Sequence, residues 1–476
     1  MARPRLLALG VIVLLVAAAG AWFALRDRGL PAPDPPAAID ADAPDPFAYT
    51  DGRRDEFERR AATGFAHVVF AKSPGGVVAT GDRVAAYRDQ IERVAADAGV
   101  PADTLEAIVF LESAGRPSAV ADPRLEGAVG LTQILAETGQ NLLGMRVNPA
   151  AARKLTRRIG RAERRGQTAR ADRLRARRRK VDQRFDPGAS LRATARYLNL
   201  AKGRLAGRDD YAVAGYHMGI GNLQSVLRDY GEDPGSYTAL YFGATPSARP
   251  AAYRRLAGLG DDSSTYLWRV KASERIMRAY RQDRGALERE DELQRAKNSS
   301  EEVLHPEDET DSFGSPDDLE AAYRDGDVRS FPNAPRRLGL RRDRQMGELA
   351  RRLEQPRRLY RGLRPEAYAL AVYMARLTRQ AGGGRSPLTL TSTVRDREYQ
   401  RVLLGRNREA TENYSLHTTG YAFDVLRRYS GDRQAQAFQY ALTRLQALNL
   451  IAWVREPAAI HITASGDADR LVRLLR

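Results

Sequence analysis

The chain has 476 residues, too many for one ordinary core, so two or three domains are expected. An apolar share of 43% with 7% aromatics excludes wholesale disorder, and the absence of cysteine excludes disulfides, a thiol nucleophile, a zinc ribbon and a lipidated N-terminal cysteine. The net charge of +17, carried mostly by arginine, calls for an acidic partner such as nucleic acid, anionic lipid or a carboxylate-bearing polymer.

The N-terminus narrows that choice. After the basic lead MARPR, residues 6–25 (LLALGVIVLLVAAAGAWFAL) carry no charge, and about twenty apolar residues suffice to cross a bilayer as a helix. Ala17, Ala18 and Ala19 offer a cleaved signal peptide as the rival reading. The run continues through Trp22 and Leu25, so an uncleaved transmembrane anchor over residues 1–28 is expected. Arg3 and Arg5 would stay on the cytoplasmic side and the rest would be exported. Export argues against a nucleic-acid partner, and no nucleic-acid module is recognisable in the basic residues.

Residues 29–50 are rich in Pro, Ala and Asp and read as an extended spacer. Helical periodicity dominates 51–285. Within it, residues 154–184 are the most basic part, with Leu155, Ile159 and Ala162 at helical spacing and Gly166 placed to turn the chain into a second helix. Such a hairpin is either a solvated pair of helices or a grip on an anionic polymer or lipid. Residues 286–340 are polar and partly acidic and read as a connector. A helix near 345–381 stops at AGGGRSP, LTLTSTV reads as a strand, 434–448 as an amphipathic helix, and IAWV with AIHIT as a closing antiparallel hairpin. The first domain is therefore mainly α and the second, over 341–476, smaller and α+β.

In TLEAIVFLESAGRP (104–117), Leu105, Ile108 and Val109 form the apolar stripe of a helix, and Glu112 falls on the next step of that stripe. A carboxylate facing a core must be paired or held protonated. A protonated glutamate in a cleft is what a general acid at a glycosidic bond requires, while a glutamate capped at a helix end is the plainer reading. The blocks Glu112-Ser113, GAVGLTQILAET (127–138), YLNLA (197–201) and AGYHMGIGN (214–222) resemble, in order, the soluble lytic transglycosylase domain, related to goose-type lysozymes. The resemblance covers most of 90–230 and implies a lysozyme-like fold with Glu112 as catalytic acid. It also implies that Ser113, Gln133, Tyr197 and Tyr216 serve the saccharide site, and that the substrate is peptidoglycan. Ala136 stands where the family usually has proline and His217 where it usually has asparagine. His217 is read as a satisfied helix histidine or a substituted cleft residue. The basic hairpin falls between family blocks. The implied setting is the periplasmic or wall-facing side of a bacterial inner membrane.

SLHTTGYAFD (415–424) fits the Ser-x-His-x-x-Gly-x-Ala-x-Asp signature of the zinc D-alanyl-D-alanine carboxypeptidases and dipeptidases, and STVRDREYQRVL (392–403) resembles that family's arginine-bearing block. The resemblance implies zinc held by His417, Asp424 and His461, with Arg395 steadying an oxyanion. Two imidazoles and a carboxylate leave a fourth tetrahedral position for water or substrate. Where the family carries its catalytic glutamate this chain has Ala458, and the nearest carboxylate is Glu456. Either Glu456 takes the role of base, or the domain holds stem peptides without cutting them. His67 and His305 fit no pattern and are read as structural.

Overall fold

The computed structural model describes residues 44–475 apart from 261, 298, 333–334 and 406–413. The expected anchor over 1–28 and most of the spacer at 29–50 lie outside the described residues. Among those described, no helix is long and apolar enough to cross a membrane. The chain divides into two compact units, Tyr49–Arg295 and a second made of residues up to Ala48 with Ala296–Arg476.

The first unit is almost wholly helical. It contains α1 (Ala102–Ser113), which starts after Pro101 and carries Asp103 in its first turn, favourable at a helix N-terminus. Leu105, Ile108, Val109 and Phe110 are buried, and Leu105, Val109 and Phe110 join a core shared with α2 (Tyr266–Gln282). The helix ends at Ala114, which takes the left-handed conformation at φ 53°. Arg83 Nε then donates to the Ala114 carbonyl at 2.9 Å, satisfying one of the orphan groups at this end.

The most basic segment forms a helical hairpin, α3 (Pro149–Arg164) and α4 (Thr168–Val181). Asn148 caps α3 by accepting from the Ala151 amide, and Leu155, Ile159, Ala162, Ala171 and Leu174 make a small private core. Both acids on the hairpin, Glu163 and Asp172, are engaged by the same residue, Arg175.

After the hairpin, Asp182 and Arg184 form an ion pair of 2.8 Å with both side chains fully buried. The same guanidinium donates to the carbonyls of Leu125, Gly127 and Ile134, so it holds the 125–134 loop from within. At Gly130 (φ +85°) a Cβ would lie 1.8 Å from the Arg184 carbonyl, so no other residue fits there without moving backbone. α5 (Pro187–Arg204), α6 (Asp209–Met218) and α7 (Ile220–Tyr230) follow, each packed on the next.

The second unit is built on a five-stranded sheet of β1 (Leu340–Arg342), β2 (Leu388–Ser392), β3 (Ala422–Leu426), β4 (Ile451–Arg455) and β5 (Ala459–Ala464), in the order β1-β2-β3-β5-β4. The pair β1/β2 is parallel and the others antiparallel, so the expected antiparallel sheet holds for four of its strands. α8 (Pro365–Thr378) is apolar nearly all round and correspondingly buried. It replaces the C-terminal half of the helix expected over 345–381; the N-terminal half is instead 3₁₀ turns at Glu348–Leu353 and Arg357–Tyr360. Pro365 sits at the N1 position of α8, where its missing amide costs nothing. α9 (Asp432–Ala447) packs against α8. The stretch read as a connector is structured: residues 296–340 belong to this unit and contribute β1 and the short helix α10 (Glu301–Leu304).

Removing one partner of a buried ion pair costs about 3–5 kcal/mol. Asp182→Asn should therefore speed hydrogen–deuterium exchange in peptides spanning 119–136 by about two to four orders of magnitude, with peptides of the second unit unchanged. Equal exchange in variant and parent would show that the loop does not depend on the pair.

Candidate functional sites

Glu112 occupies the last turn of α1, half-buried, on the wall of a cleft of about 250 Å³. Ser113, Arg116, His217, Tyr266 and Arg269 line it with Glu112, as do Val68, Lys72 and Pro74. The Tyr266 hydroxyl donates to Glu112 Oε1 at 2.7 Å. Burial pushes the Glu112 carboxyl up to about 7, against the opposing pull of the Tyr266 hydrogen bond and the Arg269 charge. Arg269 is itself engaged by Asp262 at 2.7 Å. The carbonyl end of the helix acts in the same direction as burial, since its dipole disfavours a negative charge.

The other residues expected here divide into cleft and support. Tyr216 stacks on Tyr266 with centroids 6.2 Å apart, and its hydroxyl donates to the Thr132 carbonyl at 2.7 Å, tying α6 to the 125–134 loop. Tyr197 is 7% exposed, donates to the Gly215 carbonyl and meets Tyr216 edge-on, so it braces Tyr216 from behind instead of facing saccharide. Ser113 is on the cleft, but its hydroxyl is turned back to the Val109 carbonyl. Gln133 has φ 52° and donates to the Gly130 carbonyl at 2.8 Å, which spends its amide within its own loop. The Ala136 amide donates to the Glu126 carbonyl, a bond that proline would lose. His217 is on the cleft: its ring stacks on Tyr266 at 5.0 Å and Nδ1 meets Ser263 Oγ at 2.8 Å. Tyr266 and Arg269 were not singled out from sequence, because they lie beyond the recognisable blocks on a helix whose pattern reads only as core.

Residues 165–237 match the family model described as Transglycosylase SLT domain. No curated protein matches the chain. The match supports lytic transglycosylase activity on peptidoglycan. It contains Tyr197, Tyr216 and His217 and begins at the turn of the basic hairpin, so α4 lies within the matched span and not outside it. Glu112 and Tyr266 lie outside the span and come to its residues through the fold.

In the second unit, β3 and β5 pair in the register that sets Asp424 directly opposite His461. A 3₁₀ turn, Leu416–Thr419, brings His417 to the same carboxylate. Gly420 ends this turn at φ +82°, where a Cβ would press on Arg364 and Phe313. One ligand atom from each of His417, Asp424 and His461 lies within 4.8 Å of the others. His417 Nε2 is 3.3 Å from Asp424 Oδ2, and His461 Nδ1 is 2.9 Å from Asp424 Oδ1. His417 Nδ1 faces the Thr393 carbonyl at 2.8 Å, which assigns the proton to Nδ1 and leaves the Nε2 lone pair for the cluster. The donor set thus fits a zinc ion: two imidazole nitrogens and a carboxylate converge, and at least one tautomer is fixed for ligation.

Arg395 stands beside the cluster, 3.6 Å from Asp424 Oδ2, with its guanidinium braced by Gln400 and Ser392. Glu456 sits in the β4–β5 turn, half-buried, where its charge acts on Arg395. Glu301 on α10 was not singled out from sequence, and its Oε2 lies 3.0 Å from His461 Nε2. His305 and His67 are held elsewhere, by the Ala464 carbonyl and Gln294.

The ¹³C resonance of the Glu112 side-chain carboxyl should titrate near pH 7. Its raised value means that the stability it contributes is present below the ordinary glutamate range and lost as pH rises through about 7. Tyr266→Phe removes a donor to the ionised form, so the midpoint should move up. A parent midpoint in the ordinary glutamate range would mean that the carboxyl is not buried in solution.

Proposed function

We propose that the chain is an exported, membrane-anchored lytic transglycosylase that cleaves the bond between N-acetylmuramic acid and N-acetylglucosamine with Glu112 as its single acid and base. The observation that carries this reading is a carboxyl in a cleft, held near neutrality by burial and bonded to Tyr266. Protonated Glu112 gives its proton to the bridging oxygen as the C1–O bond breaks. The resulting carboxylate takes the proton of the muramoyl C6 hydroxyl as that oxygen closes onto C1. Glu112 ends protonated, and the product is an anhydro sugar with no water consumed. One group does the work that most glycosidases divide between two carboxylates. Tyr266 keeps the carboxyl aimed into the cleft and stabilises its anion between the two transfers, while His217 stacked on Tyr266 limits the movement of the phenol.

The second unit, in this proposal, binds zinc through His417, Asp424 and His461 and engages stem peptides. Bound there, zinc would polarise a peptide carbonyl or activate a water. Arg395, fixed by Gln400 and Ser392, is placed to receive a carboxylate or oxyanion, and Glu456 is the carboxylate nearest in sequence to Ala458, which stands at the usual position of the base. A wall-binding unit without peptidase activity is the second reading. It is favoured by the near-complete burial of His417 and Asp424, 3% and 8% exposed, and by the exposed Ala458 in place of the usual glutamate.

Glu112→Gln should abolish release of muropeptides from purified sacculi, and the parent's products should carry anhydro-muramoyl ends by mass spectrometry. Reducing ends would mean hydrolysis and refute the single-carboxyl route. Metal analysis of the full chain after zinc-replete purification should give one zinc per chain, falling to none in His417→Ala; a metal-free parent would end the zinc reading. On pre-solubilised muropeptides, unchanged stem peptides with parent protein would leave the second unit as a binding module.

A further inference from the structure

We propose that Glu301 is the positioning residue that sets His461 for metal binding, an inference that rests on the zinc reading of the second unit. An imidazole presents one nitrogen to a metal, and the hydrogen bond made by the other decides which nitrogen that is. His417 settles this with the Thr393 carbonyl. His461 needs an acceptor on its far side, and the chain supplies one from more than a hundred residues upstream: Glu301 Oε2 lies 3.0 Å from Nε2 while Nδ1 points at Asp424.

The carboxylate is itself built in. Glu301 is 4% exposed and also accepts from Thr463 Oγ1 at 3.1 Å, with Lys297 Nζ 3.7 Å away. Thr463 lies two residues after His461 on β5, so the strand that carries the imidazole also anchors its partner. Glu301 is not one of the three residues whose ligand atoms converge. It accepts the Nε2 proton, leaves the Nδ1 lone pair directed at Asp424 and His417, and adds a negative charge behind the ring that raises its donor strength. A fragment beginning at 341, the boundary that the sequence suggests, would lack this residue.

Zinc affinity of the full chain, measured by competition with a chromophoric chelator, tests this in the parent, Glu301→Gln and Glu302→Gln, with circular dichroism as the check on folding. Glu301→Gln should still take up one zinc at saturation but bind it about 10–100-fold more weakly, and Glu302→Gln should match the parent. Equal affinity in the parent and Glu301→Gln overturns the role of Glu301 and leaves zinc binding standing. A parent that binds no zinc overturns the zinc reading and this inference with it. Should Glu301→Gln unfold, long-range ¹H–¹⁵N correlation of the zinc-loaded parent decides: His461 protonated at Nε2 supports the proposal, and protonation at Nδ1 refutes it.

Discussion

The contact on which the catalytic reading depends is a single hydrogen bond, from the Tyr266 hydroxyl to Glu112. Around it the fold resolves two opposing demands. The carboxyl must be dry enough to keep its proton near neutral pH, yet its anion must survive long enough to take a proton back. Burial near the carbonyl end of a helix meets the first demand, and one phenol donor meets the second without tipping the group into permanent ionisation. Glu106, nearly two turns earlier on α1, is almost completely buried and held by Arg88 and Arg281, which makes it a structural anchor.

The two proposed centres use the same physical device in different materials. In the first unit an aromatic series, Tyr197 on Tyr216 on Tyr266, fixes the orientation of the working carboxyl. In the second, acceptors behind each imidazole fix the orientation of the converging nitrogens. In both, the residue that does the fixing comes from a part of the chain remote from the motif it serves. Tyr266 follows Glu112 by 154 positions.

That remoteness marks what the sequence could disclose. Glu112 was legible because a carboxylate on an apolar stripe breaks a local pattern. The His417–Asp424–His461 set was legible because the resemblance of its motif brought a ligand spacing with it. In the second unit β2, α9 and the β4–β5 hairpin were legible from alternation and turn residues, whereas β3 was read only as part of a motif and the helix Arg397–Leu404 not as a helix. Tyr266 and Glu301 left no such trace: one looks like core on a helix, the other like one acid among many in a polar stretch. Their roles exist only once α2 packs on α1 and α10 reaches β5. The same polarity made 286–340 read as a connector, although Glu301, Glu302 and His305 are buried there. Tyr197 was misplaced for the converse reason, since a tyrosine in a recognisable block can stand one layer behind the surface that the block builds.

The pinned loop carries a consequence for how such a protein can vary. With three of its carbonyls committed to Arg184 and its glycine closed to any larger residue, the 125–134 loop cannot be adjusted piecemeal. The cleft beside Glu112 is lined by none of that loop; Lys72 and Arg116 are exposed on it, so single substitutions there can alter the cleft without disturbing the pinned carbonyls. Divergence among chains of this design should therefore be lopsided: the pinned loop frozen by electrostatics, the exposed cleft residues free to drift.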